Sequence, residues 1–242
     1  MKKIATFAVL ALFAASANAL TLTSPFFMQS KGKVLSDTGL IYVNERHGAT
    51  AYDLNERVSY AIEDNIQVGA DIGYNLFHAA GKNVKGFYNP TIFGYYRFVD
   101  QDFNLDAGAE VTLGLFDNDV ETKDYVYDVV VRGEKNINEF SFGGRVNFAF
   151  NDPKEGDTTK DLGLYVYGLY NFNEKLAAGV DFDYVFIGLG EDNDEKIYSV
   201  SAIGGYEFSD NMGLFGRAGF LKSDADGAET SPIVGVNFKV LF

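Results

Sequence analysis

The chain has no cysteine, no tryptophan and only four prolines in 242 residues. Without cysteine there are no disulfides and no thiolate metal sites. An exported form of the chain therefore needs some other means of holding its fold. Beyond the first residues there is no apolar run of about 18 residues, so no helix can span a bilayer. A membrane-embedded form must cross as strands. Positive charge is scarce as well: 20 Lys and Arg against 34 Asp and Glu leave a net charge of −14. That balance excludes nucleic acid as a partner, since binding it needs a basic face. The prolines, Pro25, Pro90, Pro153 and Pro232, fall in loops or near strand ends, where a missing N–H does least harm.

What is present begins with an export pattern. Met1, Lys2 and Lys3 precede an apolar run from Ile4 to Ala15, and Ala17, Asn18 and Ala19 supply an A-x-A site. This predicts a secretory signal peptide over residues 1–19. Residues 20–242 then form a single domain. Residues 20–35 are a poorly patterned leader, in which Phe26 and Phe27 either pack into a barrel mouth or stay flexible; the lack of alternation favours a flexible leader.

From residue 36 onward the dominant signal is a period of two. Residues 66–76 show it most clearly: Val68, Ala70, Ile72, Tyr74 and Leu76 alternate with Gln67, Gly69, Asp71, Gly73 and Asn75. Such a strand meets an apolar medium on one face and a polar one on the other. Twelve strands are predicted, at about 36–45, 50–62, 66–76, 87–99, 103–115, 125–133, 139–150, 161–172, 175–186, 196–208, 212–222 and 231–242. The weakest is 125–133, because Val129, Val130 and Val131 run apolar on both faces. In strand 50–62, Glu56 shares the apolar face with Leu54, Val58 and Tyr60. Connections alternate between tight turns and longer polar loops, with 77–86 predicted as a loop. Aromatic residues cluster at both ends of the apolar face, with Tyr60, Phe98, Phe140, Phe172, Phe208 and Phe242 at the turn side and Tyr74, Phe148, Tyr184 and Phe220 at the loop side.

The last stretch ends on Phe242, preceded at alternate positions by Val240 and Phe238. This resembles the C-terminal strand of bacterial outer-membrane β-barrels, the porin-like superfamily of Gram-negative bacteria. The resemblance implies that Phe238, Val240 and Phe242 are the signal read by the barrel-assembly machinery. It also implies outer-membrane lipid and lipopolysaccharide as surroundings. The fold expected is all-β: a transmembrane antiparallel up-and-down barrel of twelve strands, with ten and fourteen as neighbouring counts. A soluble β-sandwich also alternates, but it has edge strands and a charged outer face.

The inward face then carries charge of both signs. The basic candidates are Arg57, Arg97, Arg132, Arg145, Arg217 and Lys239; the acidic ones are Asp71, Asp106, Glu110, Asp128, Asp181 and Asp183. Opposed charged walls can orient small polar solutes in a narrow water-filled pore. The same residues can instead fill the lumen with ion pairs, because twelve strands fall between the filled eight-stranded barrel and the open sixteen-stranded one. Tyr95, Tyr165, Tyr167 and Phe215 also point inward and narrow the bore. A narrow passive channel for small polar solutes or ions is the expected function, and a non-conducting structural or surface-interaction barrel is the alternative. An outer-membrane lipid hydrolase is a third reading, for which His47 with Ser231 is the single Ser–His pair the topology can build; no nucleophile motif accompanies it. The acidic loops lack the spacing of a dedicated calcium loop, and no metal site or cofactor is expected.

Overall fold

In the computed structural model, residues 26–45, 49–79, 82–100, 103–116, 124–153, 158–190, 195–225 and 228–242 are described. The expected signal peptide and His47 lie outside them. Thirteen strands form one antiparallel sheet: β1 Val34–Glu45, β2 Ala49–Glu63, β3 Ile66–Ala79, β4 Lys82–Phe87, β5 Thr91–Asp100, β6 Asn104–Thr112, β7 Tyr125–Ile137, β8 Phe140–Asp152, β9 Thr159–Asn173, β10 Leu176–Ile187, β11 Glu195–Ser209, β12 Met212–Ser223 and β13 Ser231–Leu241. Each pairs with its neighbours in sequence, except that β4 and β5 both pair with β3 and not with each other, and β1 pairs with β13 from Leu35↔Leu241 to Val43↔Ile233. The sheet therefore closes on itself. At the closure, Phe242 N donates to Val34 O and Val34 N donates to Phe242 O, at 2.8 and 3.2 Å. A closed barrel leaves no sheet edge, which is the condition for strands to cross a bilayer without orphaned backbone groups.

The barrel has twelve positions, as expected, because β4 and β5 share one. β4 pairs with the loop-side part of β3, Tyr74↔Phe87 to Ala79↔Lys82, and β5 with the turn-side part, Ile66↔Tyr96 to Asp71↔Thr91. The expected loop at 77–86 is thus mostly a hairpin, and the expected strand 87–99 starts earlier and breaks at residues 88–90. Pro90 has no N–H for the ladder. Tyr88 N donates to Gly73 O across the break, Pro90 O accepts from Leu113 N, and Asn89 Oδ1 accepts from the N–H groups of Leu115 and Phe116.

Tight turns and the two termini share one rim. Asn138 adopts φ 53° in the β7–β8 turn, a conformation Asn tolerates better than most residues. Asn173 Oδ1 accepts from the N–H groups of Lys175 and Leu176 in the next turn. Four register shifts, at Ala61/Glu63, Arg97/Val99, Leu176/Ala177 and Glu207/Ser209, all lie on this rim. Bulges are frequent at barrel rims.

The two faces of the wall obey the alternation. Val180 and Phe220 are about as exposed as side chains in this barrel become, at 60% and 61%, and Leu54, Val129, Val166, Val200 and Val234 form the same outward belt. Both aromatic girdles lie on this face. An exposed apolar surface that runs around a whole molecule is the mark of a lipid-facing one.

Candidate functional site: the barrel lumen

The first described residues lie inside the barrel and not in its wall. Residues 26–33 fold back into the lumen from the turn-side rim. Gly32, at φ +80°, makes the reversal that a residue with a Cβ would resist. Its N–H donates to Ala61 O, and Lys31 N donates to Asp64 Oδ1 at 2.8 Å. Gln29 is fully buried; its Nε2 donates to Ser59 Oγ at 3.0 Å, and Gln67 Nε2 donates to Gln29 Oε1 at 2.8 Å. Met28 packs with Phe93, Tyr95 and Val130. Phe26, 2% exposed, meets Tyr165 and Tyr167 edge-on at 6.1 and 5.7 Å, and its carbonyl accepts from Arg97 Nη2 at 3.0 Å. The segment therefore runs across the lumen, from the β2–β3 wall at Gln29 to the β5–β9 wall at Phe26. We call it the strap.

The strap corrects two expectations. Its described part, with Phe26, is not a flexible leader. And β7 does not end at residue 133 but continues to Ile137. Val130 is apolar on the inner face because Met28 of the strap covers it. Met28 also lies two residues from Phe26, an alternation that no partner strand supports, so patterning alone gave no strand to see.

Above the strap the charged candidates assemble into groups that the ladder register dictates. Arg57 stands beside Asp71, Arg97 beside Asp106, Asp106 beside Arg132, and Glu110 beside Asp128. In the larger group, Arg57 reaches Asp71 at 3.2 Å and Glu110 at 3.3 Å, with its guanidinium 3.7 Å from the centre of the Phe93 ring. The Tyr95 hydroxyl also donates to Glu110. Arg145 lies 3.8 Å from both Glu110 and Asp128. Asp106 is shared by Arg97 Nε at 2.7 Å and Arg132 Nε at 2.9 Å, and Arg132 lies 3.9 Å over the Tyr95 ring. Tyr95 lies flat because Gly108 is beside it: a Cβ there would come within 2.3 Å of the ring.

A smaller group occupies the opposite wall. Arg217 Nη2 donates to Asp181 at 3.1 Å, Asp183 at 3.2 Å and Ser201 Oγ at 3.1 Å. Lys239 is buried near the turn-side rim, and its Nζ has no hydrogen-bond partner among the described residues. It stands opposite Asp37 on β1, whose Oδ1 accepts from Asn237 Nδ2. Arg217 with its two carboxylates shows what burial of charge requires, pairing and hydrogen bonds together.

Several inward groups were missed by the sequence reading. Asp53 accepts from Asn75 Nδ2 and the Tyr88 hydroxyl, and Tyr167 donates to Glu134. Asp53 alternates with the apolar outward Tyr52 and Leu54 and could have been found that way; Asp37 sits between the polar Ser36 and Thr38, which blur the alternation, and Glu134 lay beyond the expected end of its strand. Ser231 lies on the inner wall. Phe238 and Phe242 face outward on the last strand positions, and Val240 shares their face.

The ends of the lumen differ. Toward the loops, Ile41, Val43, Ala51, Val185, Ile197, Leu221 and Ile233 form an aliphatic cluster against which Phe77 and Ile187 pack. It reaches from β3 to β10, opposite positions in the ring. The β7–β9 side at the same level stays polar, with Asp128, Asn147, Asn151 and Asp161 joined by hydrogen bonds. Toward the turns, a cavity of about 10 Å³, room for about one water, lies beside the strap, bounded by Phe27, Leu35, Asp37, Arg57, Ser59, Gln67 and Arg132. It reaches from β1 to β7.

No protein-family model matches this chain, and no curated protein matches it in sequence. Solved structures do match in shape. An outer-membrane channel from Pseudomonas putida F1 superposes with a TM-score of 0.70 at 11% identity, over 89% of this chain and 97% of that one. The NanC porin gives 0.58 at 14% identity, over 84% and 98%. The KdgM porin, solved in complex with disordered oligogalacturonate, gives 0.52 at 12% identity, over 84% and 98%. The chain thus shares the fold of these outer-membrane barrels: a closed, twelve-position antiparallel β-barrel with an apolar outer belt.

Proposed function

We propose that this barrel is a narrow channel for small polar solutes, with cations favoured, and that the strap holds it shut. The observation that carries the reading is the kind of obstruction found at the turn side. A short segment that leads into β1 lies across a lumen whose own walls are polar and charged. The path runs down the polar β7–β9 side, past Arg145 and Glu110, to the level of Phe26 and Met28. Carboxylates outnumber cationic side chains on the inner wall among the described residues, because Asp37, Asp53, Glu134 and Asp161 add to the acidic candidates. An acidic bore with low-dielectric walls concentrates cations. The fold it shares with outer-membrane channels supports the reading by analogy.

A second reading, a non-conducting structural barrel, is favoured by the aliphatic cluster at the loop side, which closes the rest of the lumen with side chains rooted in the wall. Planar-bilayer recording of the refolded protein separates the two. The channel reading expects rare, brief openings that favour cations. A folded barrel that stays silent even when the strap's anchors are removed leaves the structural barrel standing.

A further inference from the structure

The outer wall carries one anomaly. Between the aromatic girdles, the outward side chains of the described residues are apolar, aromatic, Gly or Ala, except for Lys135, one step inside the turn-side girdle beside Phe142, and for three neighbours nearer mid-depth. Ser36 and Thr38 on β1 and Glu56 on β2 point to the lipid side. Ser36 Oγ donates to one oxygen of Glu56 at 2.6 Å and Thr38 Oγ1 to the other at 2.5 Å. Thr38 stands directly across the ladder from Glu56. Glu56 lies four residues from Tyr52 and four from Tyr60, the aromatic residues at the two ends of β2. That puts the carboxylate near the middle of the bilayer, where ionisable groups are costly and mark function. Two hydroxyls occupy only part of its capacity, since a carboxylate accepts at about four positions.

We propose that this patch is the contact between two copies of the chain, related by a twofold axis along the membrane normal. Lipid offers only hydrocarbon at this depth, so the partner surface must be protein. Both copies insert in the same sense, so residues of equal depth meet. Elsewhere on the described outer wall nothing at that depth can answer a carboxylate; only the same patch can. The symmetry also fits. A twofold axis between β1 and β2 brings β1 of each copy against β2 of the other and sets the two Glu56 carboxyl groups facing each other; the protons of Ser36 and Thr38 are already given to their own Glu56, so the donor across the contact is the O–H of a protonated Glu56, received by an oxygen of the partner's patch. The patch is complementary to itself, as a twofold contact requires, and polar groups that bond across a membrane interface favour association. This inference is independent of whether the lumen conducts.

The chain lacks cysteine, so an introduced thiol is unique. Leu54→Cys places one beside the patch, and Val166→Cys places one on the far side of the barrel. Both are made in the full-length protein, reconstituted in bilayers and treated with a short bismaleimide. Folding is checked by the gel mobility of unheated samples. The expected result is a cross-linked band of twice the chain mass for Leu54→Cys and none for Val166→Cys. Adding Glu56→Leu, which suits a lipid-facing site and lets the barrel fold, abolishes the band; Glu56→Gln, which keeps one acceptor oxygen and brings N–H donors for the partner's patch, retains it. The proposal is overturned if folded Leu54→Cys gives no such band, if both thiols cross-link equally, if the band persists with Glu56→Leu, or if the product has another mass.

Discussion

At the turn side the lumen is crossed by a length of chain; at the loop side it is filled by side chains that belong to the wall. The difference is one of reversibility. Ile197, Leu221 and Ile233 cannot leave without unfolding strands. The strap is held by the hydrogen bonds of Gln29, the bond from Arg97 to the Phe26 carbonyl, and the contacts of Phe26 and Met28. On the proposed reading it lets go while the barrel stays closed, in the way that local segments open below the global unfolding free energy. Polar wall on one side and a detachable segment below it are the parts a gate needs; an aliphatic cluster alone is the part a scaffold needs.

Substitutions can be ranked by how hard they strike that contrast. The largest effect belongs to neither end but to the charged layer between them. Asp106→Ala leaves Arg97 and Arg132 without their shared carboxylate, and breaking a buried pair costs about 3–5 kcal/mol. Denaturant titration in lipid should show that loss. Next comes the loop side: Ile197→Ala should cost about 2–4 kcal/mol, the usual range for a buried aliphatic truncation, with conductance unchanged. Phe26→Ala inverts the pattern. It removes two edge-on ring contacts, worth about 0.5–1.5 kcal/mol each, and the global loss is bounded by the strap's own docking free energy. Its main readout is electrical: openings should become longer and more frequent. The smallest effect is at Lys31, whose amine pairs with Glu63 at 2.8 Å on the exposed rim. That hydrogen bond raises the amine's pKa, so any contribution is complete at neutral pH and fades only as pH rises past the lysine range. Lys31→Ala should leave unfolding and conductance as they were.

How much of this could be read in the sequence depended on whether a partner strand was there to enforce a pattern. The barrel, its twelve positions and its closure were legible, because a period of two survives wherever a strand separates lipid from lumen. The face of each charged candidate followed from the same alternation, as with Arg57 against Leu54 and Val58. Their grouping did not, although register counted outward from the turns pairs Arg97 with Asp106 and Glu110 with Asp128. The strap was illegible, since Phe26, Met28 and Gln29 are held by side chains from five strands rather than by a ladder. The break between β4 and β5 was half legible: Pro90 forbids one ladder bond, but that Lys82–Phe87 still pairs with β3 shows only in three dimensions. Glu56 stood out at once as a carboxylate on an apolar face, without the two hydroxyls that explain how it is tolerated.

The central claim is that the strap, and not the wall, shuts the lumen. Gln29 and Ser59 touch, at 3.0 Å between Nε2 and Oγ, and the chain has no cysteine to interfere. In a Gln29→Cys, Ser59→Cys double variant the shorter side chains leave a gap that a direct disulfide does not span; a short bis-methanethiosulfonate linker, added during refolding, bridges the two thiols through disulfides and pins the strap, and reduction frees it in the same bilayer. The account predicts silence with the linker in place and long-lived, cation-favouring openings once its disulfides are reduced. Identical records in the two states, whether both silent or both open, would contradict it.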